Sequence, residues 1–399
     1  MKTVGILGGG QLGGMLAEAL YNYGAKVIFY DPDPISPSFH RSAKHFCGEW
    51  NDFKLLEKFF SQCDVVTYEF ENVAVNLLTS LITKTQIPLY PSEDILAITQ
   101  NRIQEKNFLI QKEFPVCFFK ACLCLEDLMN NVQLFSFPFL IKTAVGGYDG
   151  KGQWLIHNKK ELEIILNKFS NVNFIPLIIE EKIGIIHEAS CIVARNLNNN
   201  TVCLPIFDNI HKNQILYQTH IPSRLPESVQ NKIKEIAIKA SEKLNVVGLL
   251  TTEFFITTKK SCNNLHTEFI DGFYIYVNEF APRPHNSGHI SRNACNISQY
   301  DLLARVLLNL PLHSPKILPG FFCMENLLGN IWINQGQQKI LNLDIWKNHA
   351  HITAITLYGK EEAKLNRKMG HFICHADSYE LCNLYANNFR EELNEPKKY

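Results

Sequence analysis

The sequence predicts a mixed α/β protein of more than one domain, on three observations. Its 399 residues exceed one small module and suit two or three units of roughly 100–200 residues each. The chain as far as Tyr90 alternates short apolar runs with helical patterns, which implies a parallel sheet with helices on both faces. Beyond it, strands follow one another across glycine- and asparagine-rich turns, making the whole α+β.

Each element has its own signal. Val4 to Leu7 is a short apolar run that leads into glycines and then the helical pattern QLGGMLAEALYNYG. Lys26 to Tyr30 and Cys63 to Tyr68 read as the next strands. Pro88 and Pro91 break the chain, and Ser92 or Asp94 can cap a helix running through ILAITQNRIQEKNFLIQ. A second region starts near Val116. Within it FPFLIKTAVGGYDGKGQWLI reads as strand, glycine loop and strand, since no helical pattern opens after the glycines. PLIIEEKI, EASCIVAR and VVGLLTTEFFIT read as further strands, and Asn198 to Asn200 as a hairpin tip. Apolar residues recurring every three or four positions predict a long helix between Glu227 and Leu244. From Pro311 onward comes a small mixed module with a polar tail.

Composition narrows the function. Lys plus Arg and Asp plus Glu both number 39, for zero formal net charge. A sequence-independent nucleic-acid binder needs a basic surplus, and an anionic membrane surface attracts one too, so neither partner is expected. No apolar run approaches the roughly 18 residues of a membrane span, and the one in MKTVGILGGG is short for a signal peptide. The 12 cysteines include no C-x-x-C pair, and Cys191 and Cys203 sit in apolar runs as small hydrophobes. A reducing cytoplasm is the expected compartment.

Gly8, Gly10 and Gly13 match G-x-G-x-x-G between a strand and a helix, and Asp31 ends the next strand. That is near the dinucleotide fingerprint, in which an acid about 20 residues on holds a ribose. Physically the motif promises less. A helix N-terminus with bare amides holds any phosphate, and a tight turn needs no ligand.

Lys142 ends a strand and is followed by Gly146, Gly147, Gly150 and Gly152. Such a loop either folds over a triphosphate, with Lys142 and Lys151 neutralising charge, or makes a plain hairpin. Carboxylates then recur in strand contexts: Glu180 and Glu181, Glu188, Glu253 and Glu279. A carboxylate in an apolar strand is costly unless it is paired with a basic group or bound to a cation. Two that face one cleft suit Mg²⁺ shared with ATP phosphates. The tract APRPHNSGH, residues 281–289, gathers Arg283, His285, Asn286, Ser287 and His289 behind a strand, a density typical of a site.

NEFAPRPHNSGH, together with GGYDGKGQW, GGGQLGGML and NRKMGH, resembles the N5-carboxyaminoimidazole ribonucleotide synthases, ATP-grasp enzymes of bacterial purine synthesis. The likeness runs from Gly8 to His371. It implies a Rossmann-like N-terminal domain (1–100), a central ATP-grasp domain (101–310) and a small mixed C-terminal domain (311–399). It also implies ATP-dependent carboxylation of 5-aminoimidazole ribonucleotide by bicarbonate, with Mg²⁺, in a homodimer. By the same resemblance Arg102 and Lys142 contact ATP phosphates, and the loop Gly147, Tyr148, Asp149, Gly150, Lys151, Gly152 and Gln153 closes over them. Glu180, Glu181, Lys182 and Ile183 form the hinge for adenine, Glu188 holds the ribose, and His211 lines the ATP site. Glu253 and Glu279, with Asn278 beside them, bind the metal. Tyr148, Asp149 and Lys151 lie by the aminoimidazole ribonucleotide, whose phosphate is held by Gln11, Leu12, Lys360, Arg367 and Lys368. Arg283 takes bicarbonate, and His285 or His289 handles a proton.

Two departures stand out. The third position of the E-x-N seen at many ATP-grasp metals is Ala281. The segment between Glu253 and Glu279 is long, with a polar tip at KKSCNN that suggests an extended hairpin and leaves Glu268 and Asp271 as rival carboxylates. Another ATP-grasp ligase, a dinucleotide-dependent oxidoreductase and a non-catalytic ATP-binding protein are the competing readings.

Overall fold

Thr3–Leu7, Lys26–Asp31 and Val65–Tyr68 are strands, as their apolar runs require, and Lys44–Cys47 joins them in one parallel sheet. The computed structural model describes every residue except 148–151, 171–172, 263–265, 335–336 and 395–399. Helix Gln11–Asn22 covers one face of this sheet, and helices Phe53–Phe60 and Val75–Thr85 cover the other. Gly5 is needed where the sheet meets its helix, because a Cβ there would lie 2.5 Å from Cys63 Sγ and 2.8 Å from Phe59 Cζ.

The helix expected after Pro91 is two helices, Glu93–Thr99 and Arg102–Gln111. Asn101 divides them: its side chain caps the second, accepting from Ile103 N at 2.9 Å, while its backbone bridges to Val145. The break redirects the second helix, so that Glu105 and Lys106 end up buried rather than on a wet face.

Two antiparallel sheets follow. The smaller is ordered Phe119–Cys122, Leu177–Glu181, Phe139–Thr143, Gln153–Ile156. Its last two strands flank the glycine loop, with Lys142 paired to Gln153. The larger contains Phe273–Ala281, Gly248–Thr257, His187–Arg195, Phe207–Lys212 and Ile215–Ile221 as neighbours in that order. On strand 187–195, Ala189, Cys191 and Val193 face helix Glu227–Lys243 while Ile192 and Ala194 face the opposite core. Burial on both sides explains its unbroken apolar run. Asn199 turns this strand into Thr201–Cys203 at a φ of 63°, and Cys203 is half-buried there rather than enclosed. The C-terminal strands Phe321–Leu328, Lys368–Ala376 and Ile352–Leu357 extend the same sheet, so that module shares its backbone ladder with the centre. No helix among the described residues is long and apolar enough to cross a membrane.

Candidate active site

The two metal-type carboxylates meet through a fault in the sheet. Strands 248–257 and 273–281 pair Thr252 with Phe280 and Phe254 with Val277, so Glu253 alone opposes Asn278 and Glu279. A bulge of this kind re-aims side chains beside it. Asn278 Nδ2 lies 3.3 Å from Glu253 Oε2, and His285 Nε2 lies 3.1 Å from Glu253 Oε1. Burial would raise the Glu253 carboxyl, but His285 and His211 outweigh it and hold it low. Glu279 opens to solvent in the cleft, and the enclosing protein and then Glu253 raise it. The rival carboxylates are elsewhere: Glu268 is 4.0 Å from Lys232, and Asp271 accepts from Ser228 on helix 227–243. No three His, Cys, Asp or Glu side chains among the described residues gather into a metal site of their own. A pair of hard carboxylates instead fits Mg²⁺, which is usually held by one or two carboxylates plus substrate phosphates.

Positive charge surrounds this pair. Lys142 Nζ bonds Glu180, and Lys106 Nζ lies 3.5 Å from the other oxygen of that carboxylate. Burial alone would raise Glu180, yet the two lysines hold it down at about 2. Arg102 donates to the carbonyls of Thr143 and Gly147, at 3.4 and 3.2 Å, which ties it to the glycine loop. Gly152 and Gln153 lie half-buried at the far side of that loop; Tyr148, Asp149, Gly150 and Lys151 lie outside the described residues. Glu181 points away from Lys142: it accepts from Ser261 Oγ at 2.5 Å and Cys262 N at 2.8 Å. Ser261 and Cys262 of the KKSCNN segment therefore fold back onto the hinge, with Ser261 buried; residues 263–265 of the expected hairpin tip lie outside the described residues. Beyond Glu181, Lys182 is exposed and Ile183 buried. Glu188 and His211 form a pair at 2.7 Å, and that bond raises the histidine against the effect of burial.

His285 is held by a buried chain of polar groups. Thr219 donates to Asn209 (3.1 Å), Asn209 Nδ2 to Ser190 Oγ (3.0 Å), and Ser190 contacts Ser287 Oγ at 2.7 Å. Ser287 Oγ and the Ser287 N–H then both reach His285 Nδ1, at 2.8 and 3.4 Å. Nδ1 is thus an acceptor, and the ring presents Nε2–H to Glu253. His289 is different. It is fully buried, its Nδ1 lies 2.7 Å from Tyr300 Oη, and it stacks on His371. Burial first, and then neighbouring positive charge, lowers it well below the ordinary histidine range.

Burial likewise holds His220 at about 4 and His371 at about 3. These folded values lie below the unfolded one, so the unfolded chain binds more protons as pH drops below about 6.5. Stability is expected to fall between pH 6.5 and 4 by roughly 1.4 kcal/mol per group per pH unit. Urea melts at pH 7.5 and 5.0 check this, and His220→Asn should lessen the drop.

The first glycine motif is occupied from within. Gly9 N–H donates to Asp31 at 2.7 Å, and Gly10 and Gly13 donate to Glu69. Gln11 opens the helix beyond, with Leu12 buried behind it. Burial raises Glu69 despite the bonds from Gly13 and Gly10, and the charge of Lys360 opposes that rise only weakly. Within the C-terminal basic group Lys360 Nζ donates to Lys368 O at 2.8 Å and Arg367 to Glu362 O at 2.9 Å. Arg283 spans to the same domain through Glu71, at 3.0 Å. Neither Glu69 nor Glu71 carried a sequence signal beyond lying at a strand end.

Comparison with known proteins decides the family. A ribonucleotide synthetase preATP-grasp domain matches residues 1–100, an ATP-grasp domain 107–300, and a phosphoribosylaminoimidazole carboxylase C-terminal domain 323–383. The N5-carboxyaminoimidazole ribonucleotide synthase of Staphylococcus aureus strain COL is 35% identical over 379 residues, covering 92% of this chain and 91% of that protein. The chain belongs to the N5-carboxyaminoimidazole ribonucleotide synthase family. The S. aureus synthetase crystallised with ADP superposes with a TM-score of 0.84 at 32% identity, covering 99% of this chain and 97% of that one. The Thermotoga maritima synthetase gives 0.83 at 31%, covering 98% of each chain. As an ATP-grasp ligase of this family, the chain carboxylates 5-aminoimidazole ribonucleotide at the expense of ATP in purine biosynthesis.

Proposed function

We propose that the carbon comes from bicarbonate by way of carboxyphosphate, and that the site around Glu253 and Glu279 forms it. The supporting observation is the bulge that sets Glu253 against Asn278–Glu279, near the charges of Lys142 and Arg102 and with His285 Nε2 on Glu253. Bicarbonate carbon is a poor electrophile, so its oxygen first attacks the γ-phosphate of ATP. Glu253 and Glu279 would hold a Mg²⁺ ion, which would supply positive charge to offset that of the phosphates. Lys142 and Arg102 hold the phosphates, with Gly147, Gly152 and Gln153 at the ends of the covering loop. The 180–183 hinge takes adenine, Glu188 the ribose, and His211 fixes Glu188. Arg283 binds bicarbonate and then carboxyphosphate, because a planar fork matches both anions.

Carboxyphosphate then releases CO₂ beside the exocyclic amine of the ribonucleotide, whose phosphate rests on Gln11, Leu12, Lys360, Arg367 and Lys368. His285 orients Glu253 through Nε2–H. The phosphate freed with CO₂ is basic enough to take the proton that the amine loses. The enzyme works as a cytoplasmic homodimer. ADP release with Mg-ATP tests the reading, with ribonucleotide and bicarbonate each present or omitted. Release that needs the ribonucleotide, with a labile carboxylated product from bicarbonate, supports it. Folded, ATP-binding protein that ignores the ribonucleotide sinks it.

A further inference from the structure

Glu279 sits on a strand whose backbone is gripped from outside its own sheet. Lys106 Nζ donates to the carbonyl of Asn278 at 2.8 Å, and Glu105 accepts from Phe280 N–H at 2.7 Å. These are the backbone groups on either side of Glu279. Both side chains come from helix Arg102–Gln111 and are nearly inaccessible, Glu105 at 2% and Lys106 at 4%. The bulge opposite Glu253 disrupts the regular ladder here, and buried backbone groups left without a partner are costly. The helix supplies those partners. Lys106 has a second contact, 3.5 Å to Glu180, whose other oxygen holds Lys142. One lysine thus touches the strand bearing the metal-type carboxylate and the neighbouring sheet's strand that positions the phosphate-type lysine.

We infer that Glu105 and Lys106 are positioning residues that set the Glu279 carboxylate against Glu253, with Lys106 also keeping that pair in register with Lys142. The inference rests on Glu279 being a metal ligand as proposed above. Neither side chain has to touch a substrate. Their effect is on where Glu279 stands when the cation and the nucleotide phosphates arrive. Groups that orient a ligand commonly change metal affinity or activity by about 10–100-fold when removed.

The test compares Glu105→Ala, Glu105→Gln, Lys106→Met and Glu279→Gln by steady-state kinetics and by Mn²⁺ titration with ADP present, read by electron paramagnetic resonance. Glu105→Ala is expected to weaken Mn²⁺ binding about tenfold and to lower kcat by about 10–100-fold. The KM for the ribonucleotide should stay within about twofold, since its site is not gripped by this helix. Glu105→Gln should recover most of both losses, because its side-chain oxygen still accepts the Phe280 N–H. Lys106→Met should repeat the alanine pattern, and it carries the test if Glu105→Ala does not fold. Wild-type Mn²⁺ affinity and kcat in Glu105→Ala or Lys106→Met would overturn the inference, as would a glutamine variant no better than alanine. If Glu279→Gln itself binds Mn²⁺ normally, the metal reading of Glu279 fails instead, and the two failures are told apart.

Discussion

Glu279→Gln is expected to lower kcat for ADP formation roughly a thousandfold, the size of losing several kcal/mol of charge stabilisation at the phosphates. The substitution keeps shape and one carbonyl oxygen but removes the charge that, with Glu253, makes the cleft attractive to a hard cation. The unliganded protein should not suffer. Glu279 is raised by its surroundings and by Glu253, so neutralising it relieves a repulsion that the resting enzyme tolerates. Thermal unfolding should therefore show an unliganded Tm equal to or above wild type. Mg-ADP should raise the Tm of the wild type and do much less for the variant. A variant with near-normal kcat, or one that Mg-ADP stabilises fully, would overturn the proposed metal role of Glu279.

Much of this site could be read before any coordinates, for a physical reason. Carboxylates in apolar strands are anomalies that need explaining, so Glu180, Glu253 and Glu279 stood out. The strands expected on either side of the glycine run after Lys142 are likewise present, at Phe139–Thr143 and Gln153–Ile156. Less visible were features that exist only once distant segments meet. The bulge at Glu253 is a mismatch between two strands and has no mark in either alone. Glu105 and Lys106 lie in RIQEKNFL, where charged neighbours look like a solvated helix face until Asn101 turns that helix inward. Ser190 and Ser287 are ordinary buried hydroxyls until they align behind His285. Locally, the hairpin between Phe207–Lys212 and Ile215–Ile221 leaves no clear mark in the sequence, because both its turn residues, Asn213 and Gln214, take positive φ. Glutamine is an uncommon choice where such turns favour glycine. Strand Lys44–Cys47 is short and mostly exposed at a sheet edge, so no alternation betrayed it.

Arg283→Ala is expected to cut bicarbonate-dependent turnover by about 10²–10³-fold, the cost of removing one member of an enclosed charge pair. Arg283 is the group proposed to hold an anion, yet at rest it is held by Glu71 (3.0 Å) and by the carbonyl of Pro284 (3.0 Å). Glu71 keeps one carboxylate oxygen buried without a hydrogen bond among the described residues. That geometry aims the guanidinium from one side and leaves the rest of its fork for a planar anion. Arg283→Lys should recover little, since an ammonium keeps the charge but cannot present two parallel N–H groups. Glu71→Gln separates aiming from binding: the guanidinium remains, less firmly directed. It should lower kcat/KM for bicarbonate about tenfold while the KM for ATP stays unchanged. Initial rates across bicarbonate and ATP concentrations measure all three variants. If Arg283→Ala keeps its bicarbonate-dependent rate, the anion sits elsewhere. If Arg283→Lys matches wild type, charge alone suffices and the fork has no part in holding carboxyphosphate.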